Sequence, residues 1–421
     1  MKIKTIRSRW VLDSRGDPTI EVDVVLSSGA LGRASVPAGA SIGKSEAAEL
    51  RDTKGMFSGR GVSKALNNIE HRIAPALIGK PADHQEAIDA QLCALDGTSD
   101  KRRLGANATL AVSLATAKAA AQAKNVPFYR YIAQLAGTKP SLPMPMFNLM
   151  NGGAHAVGTV DFQECMIIPK SATDIYTAIR MATEVYHQLK VLLVNKGFST
   201  ALGDEGGFAP QGLRYTTVMF DLVIKAITNA GYKAGEDVVL AIDVAASELY
   251  KRGRYHLAQE GHELGARGMT SWYDTLLESY PIVSIEDPFD QDAWADWRDF
   301  TKNHIGIQIV ADDLVTTNGQ RLNRAVRYEA ANTLLVKPNQ IGTLTETIHT
   351  TKAAQAAGWR TIVSHRSGET EDTTIAHLAV GLGCGQIKAG SVARGERTAK
   401  YNELLRIAES LGSDRLALVW L

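Results

Sequence analysis

The sequence predicts an α/β protein in which a smaller N-terminal domain precedes a (β/α) barrel. Three observations support this prediction. The chain has 421 residues, enough for a barrel of about 250 residues and a second, smaller domain. From about residue 238 onward, short runs of Val, Ile and Leu recur, and each run ends at a charged or ionisable residue. A proline-rich segment separates this region from an N-terminal part with a different pattern.

The N-terminal part combines strand-like and helix-like segments. EVDVV and residues Gly32–Val36 are predicted strands, and the Ala- and Leu-rich segment 105–124 is a predicted helix. Farther along, 174–196 and 216–230 are predicted amphipathic helices.

The segment TKPSLPMPMFN, residues 138–148, contains three prolines within six residues. Proline disfavours regular strand pairing and helix, so we expect an irregular connection here. The predicted domains are therefore 1–138 and 139–421.

The repeated apolar runs suit strands that are buried on both faces, as in a parallel sheet. Their terminal residues are Asp243, Glu286, Asp312, Lys337, His365 and Lys388. Four of the five spacings between these residues equal one strand plus one crossover helix, and the wider gap leaves room for the polar segment 251–268 as a hairpin or loop. Strand ends face the active-site mouth of such barrels, so the six groups are expected to converge there. Alternatively, each group merely begins a solvated loop.

Composition disfavours several classes of function. The formal net charge is +1 with no basic block, which disfavours nucleic acid and anionic membrane as partners. The charged N-terminus does not resemble a secretory signal, and no run of about 18 apolar residues occurs. We therefore expect a cytoplasmic protein.

Three of the strand-end groups, Asp243, Glu286 and Asp312, are carboxylates, the hard oxygen ligands that Mg²⁺ prefers. The alternative is a network of salt bridges with Lys337 and Lys388. A lysine whose pKa is lowered by burial and neighbouring positive charge can act as a base. A metal beside such a base suits proton abstraction next to a carboxylate, followed by elimination.

Two further segments carry candidate groups. Arg366 and Ser367, in SHRSG, could bind a phosphate, although such a polar run is also ordinary loop material. GDEGGFAP places Glu205 beside Asp204 on a glycine-rich turn, where paired carboxylates could share a proton for general-acid work. The alternative is a tight turn that uses glycine for its backbone conformation.

The segment PAGASIGKSE, residues 37–46, resembles a nucleotide-binding loop because it contains Gly-Lys-Ser. A P-loop places four residues before that triplet, whereas only three separate Gly39 from Gly43. A mobile surface loop is the alternative.

The chain resembles the enolase family almost from end to end. The motifs that carry the resemblance are LDSRGDPTIEVDV, GASIGKSEAAELRD, GANATLAVSLA, NGGAHA, GDEGGFAP, IDVAASE, VSIEDPFDQDAW, ADDLVTTN, KPNQIGTLTE, SHRSGETEDT and GQIKAG. The resemblance implies an N-terminal α+β capping domain, a modified (β/α)8 TIM-type barrel, and a homodimer or dimer-based oligomer. It also implies reversible dehydration of 2-phosphoglycerate to phosphoenolpyruvate with two Mg²⁺ ions, the second arriving with the substrate.

The resemblance further implies roles for individual residues. Lys337 would remove the C2 proton, and Glu205, assisted by Glu164, would help the C3 hydroxyl to leave. The resemblance also implies that the segment 37–46 is a lid over the active site. The implied metal ligands are Asp243, Glu286, Asp312 and, in this lid, Ser41. The implied substrate-binding residues are His155, Glu164, His365, Arg366, Ser367, Lys388 and Asp312.

This chain departs from the family pattern mainly in the lid. Ala38 and Ile42 stand where a Ser and a Thr are usual, Asp17 replaces an Asn, and Lys44 lies beside the lid. A relative that performs the same elimination on another phosphorylated or phosphonate hydroxy acid therefore stays open. A non-catalytic paralogue that binds a partner is a third possibility.

Overall fold

A three-stranded antiparallel sheet forms the centre of the N-terminal part of the chain. It is seen in a computed structural model that describes residues 1–417, so the last four residues of the predicted second domain lie outside the described part. The sheet contains β1 (Ile3–Leu12), β2 (Pro18–Leu26) and β3 (Leu31–Ser35), in that order. The helices that follow are α1 (Ser63–Asn68), α2 (Ala74–Leu77), α3 (Gln85–Asp96), α4 (Ala106–Ala123) and α5 (Phe128–Ala136).

Helix α4 confirms the predicted helix over 105–124 and packs against β2 and β3. It is buried around almost its whole circumference, which suits its many alanines. The helix backbone approaches the sheet closely at Gly32, where a Cβ atom would lie 2.0 Å from the Ala115 carbonyl oxygen and 2.3 Å from the Ala119 nitrogen. Only glycine is compatible with this approach.

The second part of the chain is a closed barrel. Its strands and those of a small hairpin sheet are β4 (Met144–Asn151), β5 (Glu164–Ile168), β6 (Val239–Asp243), β7 (Tyr250–Lys251), β8 (Arg254–Leu257), β9 (His262–Leu264), β10 (Ile282–Glu286), β11 (Gln308–Ala311), β12 (Thr333–Val336), β13 (Arg360–Ser364) and β14 (Gln386–Lys388). The barrel order is β10-β11-β12-β13-β14-β4-β5-β6, and β7 to β9 form a separate antiparallel sheet within the polar segment 251–268 and the residue before it.

The helices of this part connect the strands. They are α6 (Ile175–Asn195), α7 (Thr216–Asn229), α8 (Ala246–Leu249), α9 (Ala266–Ser279), α10 (Trp294–Asn303), α11 (Gly319–Arg327), α12 (Leu344–Ala356), α13 (Thr374–Gly381) and α14 (Gly395–Leu411). None of the helices in residues 1–417 combines the length and apolar composition needed to cross a membrane. The predicted helices 174–196 and 216–230 are confirmed as α6 and α7.

All six predicted apolar runs are barrel strands, and the residue that ends each run is the last residue of its strand or the next one. One strand differs from the simple parallel pattern, because β5 is antiparallel to both β4 and β6. Its first residue, Glu164, is therefore paired with Asp243 at the end of β6. Because β5 is reversed, the carboxylate at its start lies at the rim where the other strands end.

The expectation of an irregular connection over 138–148 is wrong for its second half, since β4 begins at Met144 and includes Pro145. The Met144 N–H donates to the Gly385 carbonyl, on the β14 side. The nitrogen of the next residue, Pro145, faces the opposite side, toward β5. Pairing between β4 and β5 begins only at Phe147. The missing N–H therefore costs no hydrogen bond between strands.

Candidate active site

The carboxyl-end rim of the barrel collects buried carboxylates around one ammonium group. Asp243 and Glu286 are adjacent in register on β6 and β10. The Lys388 Nζ, at the end of β14, lies 3.1 Å from Glu164, 3.0 Å from Asp243 and 2.9 Å from Glu286. Burial lowers the pKa of Lys388, but these carboxylates outweigh burial and raise it well above its ordinary value.

A second ion pair joins Lys337 to the third predicted carboxylate. Lys337 Nζ lies 2.5 Å from an Asp312 oxygen, and Gln340 donates to the other Asp312 oxygen at 2.8 Å. The predicted lowering of the lysine pKa concerns a lysine beside a divalent cation, and in this ion pair the shift has the opposite direction. Burial does lower the pKa of Lys337, but the Asp312 carboxylate outweighs burial and raises it.

Across the barrel, Glu205 lies among two histidines and a second glutamate. His155 Nδ1 is 3.5 Å from Glu205 and 3.8 Å from Glu164, and His365 Nε2 is 3.4 Å from Glu205. Asn148 of β4 donates to Glu205 at 2.9 Å. No local sequence pattern singles out Glu164 or His155, which only the family resemblance implies, and the structure brings both to Glu205.

The carboxyl group paired with Glu205 is Glu164 rather than the predicted neighbour Asp204, whose backbone faces Arg397 instead. Burial and the charge of Glu205 raise the pKa of Glu164 well above its usual range. Burial also raises the pKa of Glu205, but His155 and His365 outweigh it, and the pKa of Glu205 is well below its usual range. The two pKa shifts run in opposite directions, as expected of two carboxyl groups that share one proton.

The segment 37–46 closes over the same cleft. Ser41 lines it together with Lys337 and Glu205, and the Ser41 carbonyl accepts from Arg366 at 3.0 Å. The Ala40 N–H donates to the Ser367 hydroxyl at 2.6 Å. In the described structure no helix follows directly after the Gly-Lys-Ser triplet, as a P-loop would require. The segment, called the lid below after its expected role, therefore docks on the barrel over the cleft.

Arg397, at the start of α14, is a functional neighbour that the sequence analysis missed. This fully buried side chain donates to His365 Nδ1 at 2.7 Å and to the carbonyls of Arg366, Ser367 and Asp204 at 2.7, 2.6 and 2.9 Å. Because a guanidinium can only donate, Nδ1 of His365 accepts and the ring proton is on Nε2, which lies 3.4 Å from a Glu205 oxygen. Burial is the main cause that keeps the pKa of His365 well below its ordinary value.

We expect Arg397→Met to lower the free energy of unfolding by about 3 kcal/mol or more, since each buried acceptor left without a donor costs about 1–3 kcal/mol. Urea unfolding followed by circular dichroism measures this loss. Arg394→Met is the matched control, because the Arg394 side chain donates one long hydrogen bond in the described residues, to the Leu202 carbonyl at 3.3 Å. Equal losses in the two variants would contradict the anchoring role of Arg397.

The donor set fits a divalent cation. Five buried carboxyl groups face two ammonium groups at this rim; the carboxyl groups are those of Glu164, Glu205, Asp243, Glu286 and Asp312. Such an excess of buried acid is costly unless positive charge is supplied, and oxygen ligands without thiols favour Mg²⁺. Asp243, Glu286 and Asp312 do not gather into one compact trio in the described residues, because Lys388 pairs with the first two and Lys337 with the third.

One compact trio contains two acids that the sequence analysis did not consider. Oxygens of Asp287, Asp312 and Asp313 lie within 4.8 Å of one another. Asp287 accepts the backbone N–H groups of Asp312 at 3.0 Å and of Asp313 at 2.9 Å, so it orients the loop that presents Asp312.

Two family models match consecutive parts of the chain. The model described as the enolase N-terminal domain matches residues 3–132, and the model described as the enolase C-terminal TIM barrel domain matches residues 139–417. Together they cover nearly all of the sequence, in agreement with the capping sheet and closed barrel described above. The chain therefore belongs to the enolase family.

Proposed function

We propose that this chain catalyses the reversible dehydration of 2-phosphoglycerate to phosphoenolpyruvate, the reaction of glycolysis and gluconeogenesis. The observation that carries the proposal is the placement of a base and an acid across one cleft. Lys337 follows β12 and Glu164 begins β5, and these strands are four positions apart in either direction around the eight-stranded barrel. Both residues line the same cleft, together with Glu205.

This placement suits an elimination in which the two groups leave from opposite faces of the substrate. The Lys337 amine would take the C2 proton from one side. Glu205, assisted by Glu164, would pass the proton that the pair shares to the C3 hydroxyl, which would leave as water from the other side. Lys388 would hold the substrate carboxylate, and His155 and His365 would complete the pocket around the leaving hydroxyl.

Arg366 and Ser367 would hold the phosphate, since both face the cleft beneath the lid. We assign Asp243, Glu286 and Asp312 to one Mg²⁺ and Ser41 to a second that arrives with substrate. When bound, Mg²⁺ would supply positive charge that offsets these carboxylates and stabilises the negative charge forming on the substrate carboxylate. Lid closure would exclude water and strengthen these interactions.

The proposal includes a cytoplasmic location and a homodimer or a dimer-based oligomer. It also keeps the predicted division of the chain into a lid-bearing domain, 1–138, and a barrel domain, 139–421. These points rest on the family. Gel filtration with light scattering tests the oligomeric state, cell fractionation tests the location, and expression of the separate parts tests the domain division.

The direct test mixes purified protein with 2-phosphoglycerate and Mg²⁺ and follows the ultraviolet absorbance of the enol product. We expect rapid turnover that EDTA abolishes and added Mg²⁺ restores. Folded protein that binds Mg²⁺ but does not turn over 2-phosphoglycerate would contradict the proposed substrate.

A second candidate is the same elimination on a related phosphorylated or phosphonate hydroxy acid. The observation that favours it is the position of Ala38, whose backbone pairs with Gly368 directly after Ser367. A hydroxyl usual in the family is therefore missing beside the predicted phosphate site. Higher kcat/KM for a phosphonate analogue than for 2-phosphoglycerate would support this candidate.

A further inference from the structure

The guanidinium of Arg366 is almost fully occupied by protein acceptors. Its Nη1 donates to Glu46 at 2.8 Å and to Asn339 at 3.1 Å, and its Nη2 donates to Glu46 at 3.1 Å and to the Ser41 carbonyl at 3.0 Å. A guanidinium has five N–H donors, so these contacts use four of them. The Nε–H is the donor that remains for a ligand.

Glu46 is the acceptor that determines this orientation, because it takes both ends of the guanidinium in a bidentate ion pair. The Glu46 side chain is only 6% exposed and that of Arg366 only 4%. Burial lowers the pKa of Arg366, but Glu46 is the main group that outweighs burial and raises it. A charge pair of this geometry fixes direction as well as charge.

The same carboxylate contacts the lid and the metal-binding side of the cleft. Glu46 is itself the last residue of the lid, and its Oε1 accepts the Gly43 N–H at 3.1 Å, so it fixes the turn at the end of the lid. It also accepts from Gln340 at 3.3 Å, and Gln340 donates to Asp312 at 2.8 Å. This lid side chain therefore contacts both the predicted phosphate-binding arginine and the residue that orients Asp312.

We infer that Glu46 is a positioning residue that seats the lid and directs the Nε edge of Arg366 toward the substrate phosphate. The inference rests on the proposed function, because it names what sets phosphate binding in that site. The charge pair couples the two events: a lid that is not seated takes Glu46 away from Arg366, and Arg366 then loses its fixed direction. Phosphate affinity therefore depends on a residue that does not itself bind the substrate.

The test compares Glu46→Gln with Glu49→Gln. Glu49 is a matched control because it lies three residues after Glu46, just outside the lid, and pairs with Arg51 at 2.7 Å. For Glu46→Gln we expect KM for 2-phosphoglycerate to rise about tenfold or more while kcat stays within about threefold. The reason is that Arg366, without its fixed direction, loses a charged hydrogen bond to the substrate phosphate. Glu49→Gln should leave KM within about twofold. Glu46→Asp, which keeps the charge, should restore part of the affinity.

A second readout does not need turnover. Hydrogen exchange of the backbone amides in residues 38–46 should be faster in Glu46→Gln than in wild type and unchanged in Glu49→Gln. Wild-type KM and wild-type lid exchange in Glu46→Gln would overturn the inference, as would equal effects in both variants. If wild type does not turn over 2-phosphoglycerate, the proposed function fails, and the lid exchange alone then decides the role of Glu46.

Discussion

Lys337→Ala is expected to lower kcat for 2-phosphoglycerate by about 10²–10⁴-fold, the contribution typical of a positioned general base. Lys337 lies on the side of the cleft opposite to Glu164 and Glu205, and its amine is the proposed acceptor of the C2 proton. The variant should therefore also lose exchange of the C2 proton with solvent. Nuclear magnetic resonance in deuterated water measures this exchange separately from product formation.

Glu205→Gln is the matched comparison, because it removes the proposed acid but leaves the base. It should lose dehydration while still exchanging the C2 proton, since Lys337 remains able to remove it. Retained proton exchange in Lys337→Ala would contradict the assignment of the base. Loss of exchange in both variants would instead indicate a site that fails to bind substrate, which a binding measurement with 2-phosphoglycerate can detect.

The barrel was predictable because its strands are buried on both faces. A strand of this kind has a continuous apolar run, and the next residue meets water or ligand, so the change from Val336 to Lys337 is visible in the sequence. The crossover helices then set a nearly regular spacing. The same physics predicted that the ionisable ends would lie on one rim.

Strand direction was not predictable from such a pattern. An apolar run has the same composition in either direction, so nothing in ECMII shows that β5 is antiparallel. For this reason Glu164 had no signal of its own, although pairing with Asp243 places it at the rim. Pro145 was misleading for a related reason, because the cost of a missing N–H depends on whether a partner strand lies beside it.

Buried charge is the other feature that the sequence pattern conceals. Arg397 and Glu46 lie in segments rich in charged residues, a composition typical of a solvated surface. Their burial depends on acceptors and donors from distant segments, such as the Asp204 carbonyl for Arg397 and the Arg366 guanidinium for Glu46. Only the three-dimensional arrangement shows that these charges belong to the site.

Lys388→Met is expected to lower the free energy of unfolding in EDTA by about 3–5 kcal/mol, the usual cost of removing one partner from a buried ion pair. The variant leaves Glu164, Asp243 and Glu286 without the ammonium group that lies within 3.1 Å of each of them. The more negative site should bind Mg²⁺ more tightly. Saturating Mg²⁺ should therefore stabilise the variant more than it stabilises wild type. Urea unfolding with EDTA and with Mg²⁺ measures both differences.

Lys400→Met separates the effect of this site from the general cost of losing a buried lysine. Lys400 is fully buried and pairs with Glu369 at 3.1 Å, and it also donates to the Thr370 carbonyl. Its loss should destabilise the protein by a similar amount, but Mg²⁺ should stabilise this variant no more than wild type. An equal gain from Mg²⁺ in both lysine variants would mean that Lys388 does not neutralise the metal-binding carboxylates. A larger gain confined to Lys388→Met would establish that lysine and metal compensate the same buried charge.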